Sequence, residues 1–306
     1  MHSLLTRQSK INSAALASLR PYGSAVQDGD GADDWHAQLR LDLELRAGAT
    51  KLARSLHEGP LRVQRAFYPE GKDGPCHLYV LHPPGGVVSG DRLLVDVRLG
   101  AGCEALLTAP GATKLYRARA DNDATLVQRF TVGEGARVEW LPPETIAYDG
   151  TSARVSTEIE LAETGTYVGW EILCLGRPAA GERLTRGALR TTLALRRLGK
   201  LTYFERGQYR GGDALLTAPW GLSGHAVLAT MIVASPAATE SWVETLRERV
   251  QSEAGLFAVT LVSGVLIARF LGDSTREARQ LFEQAYAVLR PLYAGRVADH
   301  PRIWST

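Results

Sequence analysis

Apolar and polar residues alternate with period two through much of the middle of this chain, and glycine or proline interrupts the alternation every few residues. "QLRLDLELR" (38–46), "DRLLVDVRL" (91–99), "ARVSTEIEL" (153–161) and "ALRTTLALRR" (188–197) each carry the pattern of a half-buried strand. Gly59-Pro60, Gly100, Pro110-Gly111, Gly133, Gly135, Pro142-Pro143, Gly165 and Gly181 cut between such runs. Short strands with such frequent turns favour an antiparallel sandwich, barrel or solenoid over an alternating βα fold. The last 70 or so residues break the rule. "TESWVETLRERVQSE" (239–253) has helical spacing, residues 256–271 read as a hairpin turning at Ser263-Gly264, and a second helix starts at a Ser274/Glu277 capping box and is expected to stop near Pro291.

Residues 1–34, rich in Ser, Ala, Gly and Asp, read as a flexible tail, and residues 35–306 as a single domain whose 234–306 portion is the helix-hairpin-helix unit. The hexapeptide "ALLTAP" occurs at 105–110 and again at 214–219, but the flanks differ and nothing else repeats at that spacing, so the echo is coincidental. With 35 basic and 33 acidic residues there is no electrostatic reason to expect nucleic acid or an anionic membrane. Only five of the basic residues are lysine, which suits either an arginine-rich interface or biased codon usage. No secretory signal is evident, and the most apolar run, Leu256–Leu271, is broken by Gly264 and Arg269 and falls short of the ~20 residues a bilayer needs. The expected compartment is the cytoplasm.

The segment "HPPGGVVSGD" (82–91) invites a phosphate-binding reading, yet no Gly-Lys-Ser/Thr and no helix pattern follows it. Proline fixes φ and glycine admits positive φ, so Pro83, Pro84, Gly85 and Gly86 read as a rigid strand-to-strand turn. GxSxG and HExxH are absent, and three widely spaced cysteines without a CxxC pair indicate neither a disulfide framework nor a zinc site. Were "CHLYVLH" one strand, Cys76 and His82 would share a face at about 20 Å and His77 would point the other way. Cys76, His77 and His82 are therefore weak metal candidates, and no tight metal is expected. Glu139, Glu171 and Glu205 stand out as carboxylates inside apolar strands. Each sits on a solvent face or pairs with an arginine such as Arg177 or Arg206, or else the carboxylates line a wet internal passage suited to a divalent cation.

Six segments in series resemble the urease accessory protein family UreD (also UreH): residues 59–70, 76–93, 106–117, 139–150, 170–182 and "PRIWST" at 301–306, with Glu205-Arg206 between the last two. The likeness spans roughly residues 39 to 306. Ser89 stands where a glycine is usual in that family, Leu115 where an aromatic is usual, and Pro143 where glutamine is common. The resemblance implies a mainly β fold, many short strands wound helically into stacked sheets in a β-solenoid-like arrangement, with two helices. It implies a non-catalytic scaffold that binds apo-urease, recruits UreF and the GTPase UreG, and passes nickel through an internal channel; a dimer of such complexes is compatible with it. No tightly bound cofactor is implied, only nickel in transit. Asp91, Glu171 and Glu205, with Thr113 as a neutral neighbour, are the residues expected along that channel, and Arg302 and Trp304 are expected at a partner contact. The rival readings are a β-rich metal-dependent hydrolase, which would hold metal tightly and act alone, and an interaction module with no role in metal traffic.

Overall fold

The computed structural model describes residues 35–119 and 122–305, so the expected 1–34 tail lies outside the described residues. The strands alternate between two stacked sheets. A hairpin of β1 (His36–Arg46) and β2 (Ala49–Glu58) opens the fold, and the two-residue β3 (Arg62–Val63) leads to the first coil, β4 (Cys76–Leu81) and β5 (Arg92–Leu99). The second coil is β6 (Glu104–Thr108), β7 (Thr113–Leu115) and β8 (Ala124–Val132); the third is β9 (Arg137–Trp140), β10 (Thr145–Ala147) and β11 (Ser152–Leu161). The fourth is β12 (Thr166–Arg177), β13 (Glu182–Arg183) and β14 (Ala188–Arg197). Each coil lays one strand in the first sheet and one on the main path of the second. Thus β5, β8, β11 and β14 run parallel in one sheet, and β4, β6, β9 and β12 in the other. The short β7 and β10 pair side by side, and β10 pairs with the end of β12. The fold is mainly β, a β-solenoid-like stack of about four turns.

Antiparallel strands finish both sheets. β15 (Lys200–Arg210) folds back on β14, and β16 (Val227–Ala234) on β12. Helix α1 (Glu240–Arg249), the hairpin β17 (Leu256–Val262) and β18 (Val265–Gly272), and helix α2 (Thr275–Ala294) follow. The first sheet runs β15-β14-β11-β8-β5-β1-β2, and the main path of the second runs β17-β18-β16-β12-β9-β6-β4-β3. At the tip of the last hairpin Ser263 and Gly264 both take positive φ, 50° and 76°, as a two-residue turn with right-handed strand twist requires.

Two apolar layers hold the stack. Leu39, Leu41, Val97, Phe130, Val138 and Tyr167 fill the space between the sheets. Trp170, Val168, Met231, Phe282 and Tyr286 fill the space between the second sheet and the helices. β12 is covered on both faces and is buried along almost its whole length, which explains its near-continuous apolar sequence.

Three local expectations are corrected. Helix α2 does not stop at Pro291 but runs on to Ala294 and ends at Gly295, whose positive φ and N–H to the Pro291 carbonyl close it. Proline costs a helix one donor, and so near the C-terminus the loss is one bond; the extra turn carries Tyr293 to a buried carboxylate described below. The capping box is half formed: Ser274 Oγ accepts from Glu277 N (3.2 Å), but the Glu277 carboxylate accepts instead from Ser252 and from the backbone N–H groups of Ala254 and Gly255. β4 ends at Leu81, so His82 is outside the strand. The two copies of "ALLTAP" adopt different structures, a buried strand at 105–108 and a 3₁₀ turn at 214–216.

Candidate functional site

Alternate residues of β12 face opposite layers. Trp170, Ile172 and Cys174 point at the helices, whereas Tyr167, Leu173 and Leu175 point between the sheets. By the same alternation Glu171 points between the sheets. It lines a cavity of about 380 Å³ together with His82, Thr113, Gln128, Thr157 and Thr230. It also lines an adjoining cavity of about 20 Å³ with Thr191, Glu205, Tyr209 and Thr230. At about 30 Å³ of liquid per water, the larger space has room for several waters beside its few polar groups. Glu171, Leu193 and Thr230 belong to both linings, so the two spaces meet at Glu171.

The Glu171 carboxylate has no hydrogen-bond partner in the protein among the described residues. Burial, and then the negative charge of Glu205, raise its pKa to about 7. The Tyr167 and Tyr209 hydroxyls are pushed up by burial and by the charge of Glu171. Glu205 is held differently. Arg269 Nη1 donates to its Oε1 (3.0 Å) and Nη2 to its Oε2 (2.9 Å), and the Tyr203 hydroxyl donates to the same Oε2. His82, also on the wall of the larger cavity, is depressed by burial, against the charge of Asp91, which leaves a neutral imidazole at neutral pH.

The segment 82–91 folds as two turns around a single bridge. Gly85 N–H closes on the His82 carbonyl (3.0 Å), Val87 pairs with the Lys114–Tyr116 backbone, and Asp91 N–H closes on the Val88 carbonyl (3.2 Å). Gly85 has φ 74°, and a Cβ on Gly86 would lie 2.1 Å from the Tyr116 ring, so a side chain there would have to displace that ring. Asp91 is 5% exposed and accepts from Val88 N (2.9 Å) and Trp35 N (3.2 Å). It is a turn-closing carboxylate beside His82 and is not among the side chains lining the cavity. Thr113, Glu171 and Glu205 follow one another along the two spaces. Ser89 Oγ accepts from Arg119 N (3.0 Å), a bond that a glycine would lack.

Cys76 is fully buried, its thiol pushed up by burial beside Tyr68. His77 lies in a second cluster, where ligand atoms of Glu70, His77 and Asp299 fall within 4.8 Å of one another. Glu70 is engaged there by Arg290 through two bonds (2.6 and 2.9 Å) and by His77 Nε2 (3.0 Å). Burial would raise Glu70, but these hydrogen bonds and the guanidinium charge outweigh it and lower its pKa to about 2. Arg290 also reaches Glu139 (3.2 Å), which accepts from the Tyr286 and Tyr293 hydroxyls at 2.9 Å each. This is an ion-pair network tying α2 to β9 and to the segment before β4; Glu70 is committed to a cation of the protein's own. Trp304 turns inward, donating to Thr108 (3.0 Å) and packing 5.6 Å from the Trp170 ring, while Arg302 is exposed. The sequence carried no signal for the grouping of Glu70 with Arg290, 220 residues onward, and with Asp299. Arg269 had one, as the charge interrupting the apolar run 256–271.

Residues 36–305 match the family model described as UreD urease accessory protein. The chain belongs to the UreD urease accessory protein family. Its relatives include the urease accessory protein UreD of Azoarcus sp. (strain BH72), 49% identical over 272 residues that cover 89% of this chain and 94% of the relative. The UreD of Dechloromonas aromatica (strain RCB) is 42% identical, covering 92% and 98% respectively. That of Chromohalobacter salexigens is 40% identical over 300 residues, 95% of each chain. The family match therefore takes in both cavities, the ion-pair network and both helices. Among the described residues no helix is long and apolar enough to cross a membrane.

Proposed function

We propose that this chain serves in urease maturation, as a non-catalytic cytoplasmic scaffold that binds apo-urease, bridges it to UreF and the GTPase UreG, and lets nickel pass between its sheets. Membership of the UreD family supports the maturation role. The observation that carries the passage is Glu171, a half-buried carboxylate without a protein partner among the described residues where two internal spaces meet, with a second carboxylate, Glu205, beyond it. A charge withdrawn from bulk solvent without a partner is costly, and a cavity large enough for water beside it offsets that cost. Oxygen ligands of this kind suit a hydrated divalent cation held weakly enough to leave again. Nickel is cargo on this reading, and the protein retains no cofactor.

Glu171→Ala and Glu205→Ala are expected to lower nickel content and activity of urease several-fold in cells carrying the cognate urease and accessory proteins. Pull-down of the partners is expected to be unchanged. Wild-type urease loading in both variants would remove the passage from the reading and leave a scaffold alone.

A further inference from the structure

The geometry points to Arg269 as a built-in cation that occupies the outer carboxylate of the passage, so that a divalent ion moving beyond Glu171 binds Glu205 only by displacing it. This rests on the passage proposed above and concerns how its outer end is closed.

The register of the second sheet sets up the arrangement. Glu171 on β12 faces Thr230 on β16, and Thr230 faces Arg269 on β18. The three stand in one row, all on the side facing the first sheet, and strands about 4.8 Å apart put the Arg269 backbone roughly 10 Å from that of Glu171. Glu205 reaches this row from β15, the edge strand of the opposite sheet. Arg269 takes both of its oxygens in the fork geometry a carboxylate prefers, and its Nη2 also donates to the Tyr203 hydroxyl (2.9 Å). Glu205 therefore has no oxygen free of Arg269 for an incoming ion, whereas Glu171 has no cation opposite it. The asymmetry defines a direction: an open carboxylate inside, an occupied one outside.

The occupant can leave. The Arg269 side chain is 51% exposed and that of Glu205 27%, so the guanidinium has solvent on one side to receive it. Ion pairs of this exposure are weak, and a doubly charged ion competes for the same oxygens with greater charge. No proton moves in the exchange, because a guanidinium stays charged at any physiological pH. Arg269 thus keeps the site from holding an ion firmly at rest, which a conduit requires.

The test is equilibrium dialysis of the full chain against Ni²⁺ alone. Arg269→Gln is expected to tighten binding about tenfold, and Arg269→Lys, which keeps the charge but loses the fork, by a smaller factor. Adding Glu205→Gln to Arg269→Gln is expected to return the affinity to the wild-type value. Unchanged affinity in Arg269→Gln overturns the inference, as does a gain that persists when Glu205 is also replaced. If the glutamine variant does not fold, as judged by its melting curve, the lysine variant decides on the same terms. Failure here with Glu171→Ala and Glu205→Ala still depriving urease of nickel rejects the occupant and keeps the passage. Normal urease loading in those two alanine variants rejects both.

Discussion

Glu171 concentrates the chemistry of the fold in one side chain. Burial raises its pKa to about 7, and the charge of Glu205 adds to the effect. Between the unfolded value near 4.5 and that folded value, the native state keeps a proton which the unfolded chain has lost. Stability attributable to this group therefore falls as pH rises through that window. Glu171→Gln is expected to gain roughly 1–3 kcal/mol over wild type at pH 8 and under about 1 kcal/mol at pH 5, read from urea denaturation at the two values. The ionised form is the one that can receive a cation, so weak Ni²⁺ binding by the wild-type chain is expected to strengthen from pH 6 to pH 8, and the glutamine variant to lose that dependence. Titration of Ni²⁺ binding across this range checks it, with Glu205, Arg269, Tyr167 and Tyr209 as the neighbouring titratable groups and His82 and Lys114 elsewhere on the same cavity wall.

At the scale of elements, β12 and α2 show what could be read from the sequence and what could not. The alternating strands, the last hairpin and both helices follow from periodicity and turn chemistry. The buried length of β12 hid the side on which Glu171 lies, because a strand covered on both faces carries no alternation. Glu139 was visible as a misplaced charge, but its partner is Arg290, 151 residues onward, and not a nearby arginine. Such pairing is set by the stacking of helix on sheet and leaves no local trace. The helix runs past its proline because the next turn brings Tyr293 to Glu139, a contact with no local trace in the sequence. Arg290 is 1% exposed and serves both Glu70 and Glu139. Arg290→Met strands two carboxylates and is expected to cost about 3–5 kcal/mol in urea denaturation. Pairing it with Glu139→Gln is expected to recover part of that loss, because the coupled members of one network do not add.

Over the whole molecule, the strand-rich body and the late helices were expected from the chain, while the winding came only with the family resemblance. Parallel pairing of strands some thirty residues apart has no signature in composition or period. The stack also leaves edges. β17 closes one border of the second sheet with Leu256 65% and Val262 46% exposed. Lysine at either position is expected to raise the concentration at which the purified chain stays in solution while shifting its denaturation midpoint little, since charged edges resist strand-to-strand association. Dynamic light scattering at matched concentrations reads the difference. The Arg290–Glu70 link, finally, joins residues 220 apart. At ribosomal rates of about 5–20 residues per second, the carboxylate emerges roughly 10–45 s before its counter-ion is made. Throughout that interval the nascent chain carries the acidic half of the network and the sheet face that α2 will cover, so the solenoid cannot be sealed coil by coil during translation. Its closing step waits until α2 itself has been made.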